Sequence, residues 1–160
     1  MLVAYFSHSG NTQAVAKRIG QTTGAELFQI TPATAYPKDY DTVVDIAQVE
    51  KKKGSRPALA GAPADVSNHD TIFLGFPNWW STMPMAVFTF LEGLDLAGKT
   101  IIPFCTHEGS GLGRSEQDLR TLCPRSKVLE GLAVRGSQAT TSERAVKTWL
   151  DRLGILAGAR

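Results

Sequence analysis

The chain has 160 residues, 42% of them hydrophobic and 20% charged, with a formal net charge of +2, and that balance excludes disorder. No apolar stretch reaches membrane-spanning length, and the first apolar run starts too early to leave room for a secretory signal, so a cytoplasmic protein without membrane insertion is expected. The one basic run, Lys51-Lys52-Lys53 with Arg56, has no aromatics interleaved and reads as a solvated helix end, which argues against nucleic-acid binding.

In chain order, Leu2-Val3-Ala4-Tyr5-Phe6 predicts a buried strand. Val15 and Ile19 share one face of the helix after it, which ends near Gly24, a residue type suited to the position just past a helix end. A short strand follows over 26–30, then a proline-bounded loop, then a helix marked by Tyr40, Val43, Val44 and Ala47. Residues 54–68, rich in Gly, Pro and Ala, read as a long surface connection. The near-continuous apolar run over 71–76 predicts a strand buried on both faces. Pro84 opens a third helix to about Glu92, with Phe88 and Leu91 inward. A fourth strand is predicted over 100–105, then a helix with Leu112, Leu119 and Leu122, then a fifth strand over 128–134. Thr140-x-x-Glu143 reads as a capping box for a last helix whose Val146, Trp149, Leu150 and Leu153 form one stripe.

Five strands alternating with five helices predict an α/β fold, a parallel sheet with helices on both faces, as a single domain over 1–160. Cys105 reads as an apolar strand residue. The two cysteines lack a Cys-x-x-Cys spacing, and the next arginine after Cys105 is Arg114, too far for a Cys-x5-Arg phosphatase loop. Ligands of such sheets gather at the carboxyl ends of the strands. Three of those ends carry unusual chemistry.

The first strand empties into Ser7-His8-Ser9-Gly10-Asn11-Thr12-Gln13 and a helix starts at once. Free N–H groups at a helix start, the helix dipole and nearby hydroxyl and amide donors make a seat for a phosphate. The loop lacks Lys and Arg and lacks a Walker ending, so a phosphate monoester suits it better than a triphosphate. After the third strand comes Pro77-Asn78-Trp79-Trp80. Two adjacent tryptophans cannot point into one core, so at least one is expected to offer a flat apolar face to a planar ligand. After the fourth comes Thr106-His107-Glu108-Gly109-Ser110-Gly111, where glycines permit close approach and backbone N–H groups can meet an electron-rich ring edge. Together these describe a ligand with a phosphate tail and a planar heteroaromatic head. FMN fits better than a triphosphate or NAD.

With those loops the chain resembles the flavodoxin family over essentially all its length, in the branch with a Pro-x-Trp-Trp loop after the third strand and a Thr-x-x-Gly-Ser-Gly loop after the fourth. The resemblance implies a flavodoxin-like, doubly wound five-stranded sheet in the order 2-1-3-4-5. It also implies FMN with its phosphate on Ser7, His8, Ser9, Gly10, Asn11, Thr12 and Gln13. Pro77, Asn78, Trp79 and Trp80 would flank the isoalloxazine, and Thr106, His107, Glu108, Gly109, Ser110 and Gly111 would line its pyrimidine edge. The slight positive charge departs from acidic electron carriers, and His8, His107 and Glu108 place titratable groups in the loops.

The expected function is an FMN-dependent oxidoreductase exchanging electrons with small molecules, NAD(P)H as donor and a quinone-like acceptor. In it the Gly109–Gly111 amides would meet charge that develops on reduction, and His107 would act catalytically, protonated or as a proton relay. Two other readings stay open. One is a flavodoxin-type carrier serving a redox protein. The other is a flavin-free phosphate-binding or interaction module, against which the double tryptophan argues. An exposed Trp79-Trp80 loop would serve a homodimer contact as readily as a flavin.

Overall fold

The computed structural model describes residues 1–155. Its strands are β1 (Leu2–Tyr5), β2 (Glu26–Gln29), β3 (Thr71–Pro77), β4 (Thr100–His107), β5 (Lys127–Val128) and β6 (Leu132–Arg135), and its helices are α1 (Asn11–Thr23), α2 (Tyr40–Lys53), α3 (Met85–Glu92), α4 (Ser115–Leu122) and α5 (Glu143–Arg152). The sheet is parallel in the order β2-β1-β3-β4-β5, with β6 also paired to β4. No helix among the described residues is long and apolar enough to cross a membrane.

Alternate strand residues feed two cores because successive side chains point to opposite faces. Leu2, Ala4, Ile72, Leu74, Ile101 and Cys105 pack on one face with α3 and α4. Val3, Tyr5, Phe73, Ile102 and Phe104 pack on the other with α1 and α5. Trp149 is buried in the second core, edge-on to Phe73. Gly75 in β3 lies opposite Phe104 in β4, and a Cβ there would stand 2.1 Å from the Phe104 ring. The ring needs that space. Phe90 is buried on α3 where Phe88 was expected, and Phe88 is half-buried under the Arg56 guanidinium.

The helix ends follow their sequence signals. Gly24 adopts a left-handed conformation and its N–H donates to the Gly20 carbonyl at 2.8 Å. Asp39 caps α2 by accepting the Thr42 N–H at 3.0 Å, and Lys51, Lys52 and Lys53 complement the dipole in its last turn.

Three expectations need correction. The fifth strand is not continuous: it is broken between β5 and β6. Ile101 turns its carbonyl to β5, accepting from Leu129, so Pro103, two residues on, turns the same way and has no N–H to give. The freed groups find other partners: the Glu130 carbonyl accepts from Trp149 Nε1 at 2.9 Å and the Gly131 N–H donates to the Glu116 carboxylate at 3.0 Å. Second, β4 runs on through Thr106 and His107, so the glycine loop begins at Glu108. Third, no capping box forms. Thr140 lies in a 3₁₀ turn, Gly136–Thr141, and Ser142 precedes α5 with its hydroxyl donating back to the Ala139 carbonyl.

Gly75→Ala is expected to destabilise the fold by about 1–3 kcal/mol, because the added methyl must displace the Phe104 ring from a packed core. Urea unfolding measures it. A cost within a few tenths of a kcal/mol would show that the ring can move freely.

Candidate functional site

The chain runs outward from β1 to β2 and then returns to β3 beside β1, so the carboxyl ends of β1 and β3 face the point where strand order reverses. A cleft of about 490 Å³ opens there, walled by residues from all three loops and by the first half of α2.

At the β1 end, Gly10 precedes α1 with φ of 97°, a left-handed conformation that glycine adopts without strain. Ser7 Oγ accepts the N–H groups of Gly10 and Gln13, both at 3.2 Å, and Ser9 Oγ accepts that of Asn11 at 3.4 Å. The first turn of α1 carries no acid, so no carboxylate competes with an anion at this helix start. Thr12 is turned inward. It is buried, and its hydroxyl lies 2.8 Å from that of Thr106, tying the start of α1 to β4. Gln13 donates to the Tyr5 hydroxyl at 3.4 Å. His8 leaves the loop's amides alone: its Nε2–H donates to the Pro37 carbonyl at 2.8 Å and so ties this loop to the segment entering α2.

At the β3 end, Trp79 and Thr82 exchange backbone hydrogen bonds around Trp80 and Ser81, whose φ values are 57° and 71°. Two consecutive positive φ values mark a type I′ turn, usually built from Asn and Gly. Holding non-glycine residues there costs about 1–2 kcal/mol each. Several bonds offset that cost. Asn78 Oδ1 accepts the Ser81 N–H at 2.9 Å, and the Ser81 carbonyl accepts the Arg114 N–H at 2.7 Å. Trp80 Nε1–H donates to the Val44 carbonyl at 2.9 Å, and the Lys51 ammonium donates to the Trp80 carbonyl. The tryptophans therefore divide: Trp79 stands edge-on to Phe6 and Tyr36, with centroids 5.3 and 5.1 Å away, whereas Trp80 is 40% exposed at the rim.

At the β4 end, Asn78 Nδ2 donates to the Gly111 carbonyl at 2.6 Å, and the Cys105 thiol donates to the same oxygen at 3.3 Å. Burial, with a contribution from the Glu116 carboxylate, pushes the Cys105 thiol up to about 12, so it stays protonated and unreactive. The Gly109 N–H donates to His107 Nδ1 at 2.9 Å. Two expectations are thereby corrected. The Gly109 amide is already used within the chain, and His107 is a neutral imidazole carrying its proton on Nε2. Desolvation and the Arg135 guanidinium hold its pKa below the usual imidazole range, against the opposing pull of Glu108.

His8, Ser9, Asn11, Pro77, Asn78, Trp79, Trp80, Thr106, His107, Glu108 and Ser110 line the cleft; Ser7, Gly10, Thr12, Gln13, Gly109 and Gly111 do not. Sequence reasoning missed three features. Arg135, at the end of β6, donates to the Glu108 carbonyl at 3.2 Å and puts a cation behind the glycine loop. A Cβ at Gly136 would stand 2.5 Å from Glu108 Oε1 and 2.7 Å from Asn11 Nδ2, so it sits against the ends of two side chains of the site loops. The apolar stripe of α2 faces the cleft, and the main contact of that helix is with α3 instead of the sheet. Placing Arg135 and Gly136 needed only the rule that strand ends carry ligand sites, applied to the fifth strand. Nothing in the stripe's spacing told which way it would face.

The flavodoxin family model matches residues 1–153. A solved candidate flavoprotein from Bacteroides eggerthii is 35% identical, with 94% of this chain and 95% of that chain covered and a TM-score of 0.83. Another from Bacteroides uniformis is also 35% identical, over 94% and 96%, with a TM-score of 0.84. A flavoprotein from Lactobacillus acidophilus, solved in complex with FMN, is 22% identical over 88% and 95%, with a TM-score of 0.73. No curated protein matches the chain.

Two predictions follow from the geometry. Ser81→Gly removes a Cβ from a positive-φ position at no loss of a side-chain hydrogen bond, and should raise stability by about 0.5–1 kcal/mol in urea unfolding. A loss of stability would show that the turn is unstrained. His107 should titrate below 6.5 when followed by proton NMR. The unfolded chain takes up this proton first as pH falls, so the contribution to stability is complete above 6.5 and is lost as pH drops through the native value. A midpoint at or above 6.5 would contradict the neutral, Nδ1-accepting ring.

Proposed function

Because this chain belongs to the flavodoxin family, we propose that it is an FMN-dependent oxidoreductase, passing electrons from a small-molecule donor such as NAD(P)H to a small planar acceptor such as a quinone. The observation that carries this reading is the single cleft that joins an anion-seating helix start, a tryptophan turn and a glycine loop. The donor set fits FMN: neutral hydroxyls and amides with an acid-free helix start for a phosphate, and aromatic and backbone polar groups for a flat heteroaromatic ring. Bound FMN supplies the electron-transfer chemistry.

The residues of this chain then have separate tasks. Ser9 and Asn11, which line the cleft at the start of α1, hold the phosphate, and Ser7 shapes the loop beneath them by accepting the Gly10 and Gln13 N–H groups. Trp79, fixed by its aromatic neighbours, forms a rigid apolar wall that excludes water from the ring. The Ser110 amide, which lines the cleft and has no partner among the described residues, faces developing negative charge in the role expected of the Gly109 amide. His107, with Nδ1 occupied by Gly109, presents Nε2–H as a hydrogen-bond donor to an acceptor oxygen. An electron carrier serving a redox protein is the second reading, and the exposed Trp80 at the cleft rim favours it.

The purified protein should retain FMN with a perturbed visible spectrum and quenched tryptophan fluorescence. It should then reduce a quinone with NAD(P)H and no added protein. Retained flavin with no such turnover would move the assignment to the carrier. No retained flavin would overturn both readings. In the active case, His107→Gln should abolish the limb of the pH–rate profile below 6.5 while leaving FMN affinity unchanged.

A further inference from the structure

The side of the cleft formed by α2 carries chemistry that the cofactor's phosphate and polar ring edges do not use. Tyr40, Val43, Val44 and Ala47 recur at i, i+3, i+4 and i+7, the stripe by which a helix normally packs on a sheet. Here all four line the cleft. Val43 and Ala47 form its buried depth, Val44 is half-buried, and Tyr40 stands exposed at the mouth.

The helix is held in that position by bonds to the loops. Trp80 Nε1–H donates to the Val44 carbonyl, the Lys51 ammonium to the Trp80 carbonyl, and the Tyr36 hydroxyl to Glu50 at 2.7 Å. The tryptophan turn is bonded to the glycine loop on one flank through Asn78 and Arg114, and to α2 on the other through Trp80 and Lys51. The glycine loop is thus on one side of the turn and the aliphatic stripe on the other. Among the described residues lining the cleft, Glu108 is the one carboxylate, no lysine or arginine lines it, and His107 is neutral. An anionic acceptor would meet no countercharge there.

We propose that the α2 stripe, centred on Val44, is the acceptor-binding wall of the cleft, and that it selects uncharged, flat acceptors bearing alkyl groups over hydrophilic or anionic ones. The inference rests on the FMN-dependent reading above, and it assigns that reading a substrate class and the residues that select it. An aliphatic wall offers no hydrogen bond. It discriminates by burying apolar surface, which an alkylated quinone supplies and a charged acceptor does not.

The test uses FMN-loaded protein and 2-methyl-1,4-naphthoquinone, with binding measured by calorimetry on the oxidised protein so that no electron donor is needed. Val44→Ser should weaken naphthoquinone binding about fivefold and leave the FMN dissociation constant unchanged. Val44→Ile should restore naphthoquinone binding. Ala47→Ser serves as a second probe of the same wall should Val44→Ser fold poorly. Unchanged naphthoquinone binding in folded Val44→Ser and Ala47→Ser proteins overturns the proposal. So does a matching loss of FMN affinity, which would assign the stripe to the flavin itself. Failure of the wild-type protein to hold FMN at all would instead remove the reading on which the proposal rests, and is seen before any variant is made.

Discussion

The carboxamide of Asn78 is the joint on which the site depends. Its backbone N–H donates to Thr106 at 2.9 Å, extending the β3–β4 ladder one residue beyond β3, while its side chain accepts from Ser81 and donates to Gly111. A donor and an acceptor at the end of a short side chain are both required. Aspartate would lose the donor, and glutamine would carry the same groups one methylene too far. Through this residue the position of the glycine loop is set by the tryptophan turn, and the turn's position by the central strand of the sheet. The Cys105 thiol and the close seat of Gly113 against Ser81, where a Cβ would stand 2.5 Å from the carbonyl oxygen, lock the same arrangement.

The turn that Asn78 supports is built from residues poorly suited to it. Trp80 and Ser81 occupy left-handed conformations that the local chain would not choose, and they remain there because four groups, two of them on α2, bond to the turn or to the Trp80 ring. The strain places a tryptophan at the cleft rim with its N–H bonded to α2. A glycine-based turn would be easier to form but would not present that ring. The arrangement exchanges local stability for a fixed apolar surface beside a polar one, and the contrast between the two halves of the cleft follows from it.

Much of this was legible in the sequence, for physical reasons that can be named. Strands buried on both faces require apolar runs, so β1, β3 and β4 were visible, and their alternation with helical stripes gave the sheet order once the family resemblance was recognised. The three strand-end loops were visible because their residue types suit no core. What was hidden depended on long-range geometry. The break between β5 and β6 depends on which edge of β4 Pro103 faces, a matter of register parity invisible to composition. The destination of the α2 stripe is set by bonds from the tryptophan turn, distant in sequence. The protonation of His107 follows from a backbone turn that points the Gly109 amide at its ring, and Arg135 reaches the loop only because β6 lies beside β4.

The interrupted fifth strand has a bearing on how copies of this protein meet in concentrated solution. A sheet edge with a long, regular row of unpaired amides and carbonyls is a template on which another chain can add a strand. Here that edge consists of a two-residue and a four-residue segment, and between them the Glu130 carbonyl and the Gly131 amide are already taken by Trp149 and Glu116. The opposite edge, β2, is four residues long and carries an exposed glutamate and glutamine. Pro103 therefore does more than shape one strand: it keeps this edge too interrupted to template lateral growth, a guard against fibrous aggregation built into the same strand that ends in the cleft.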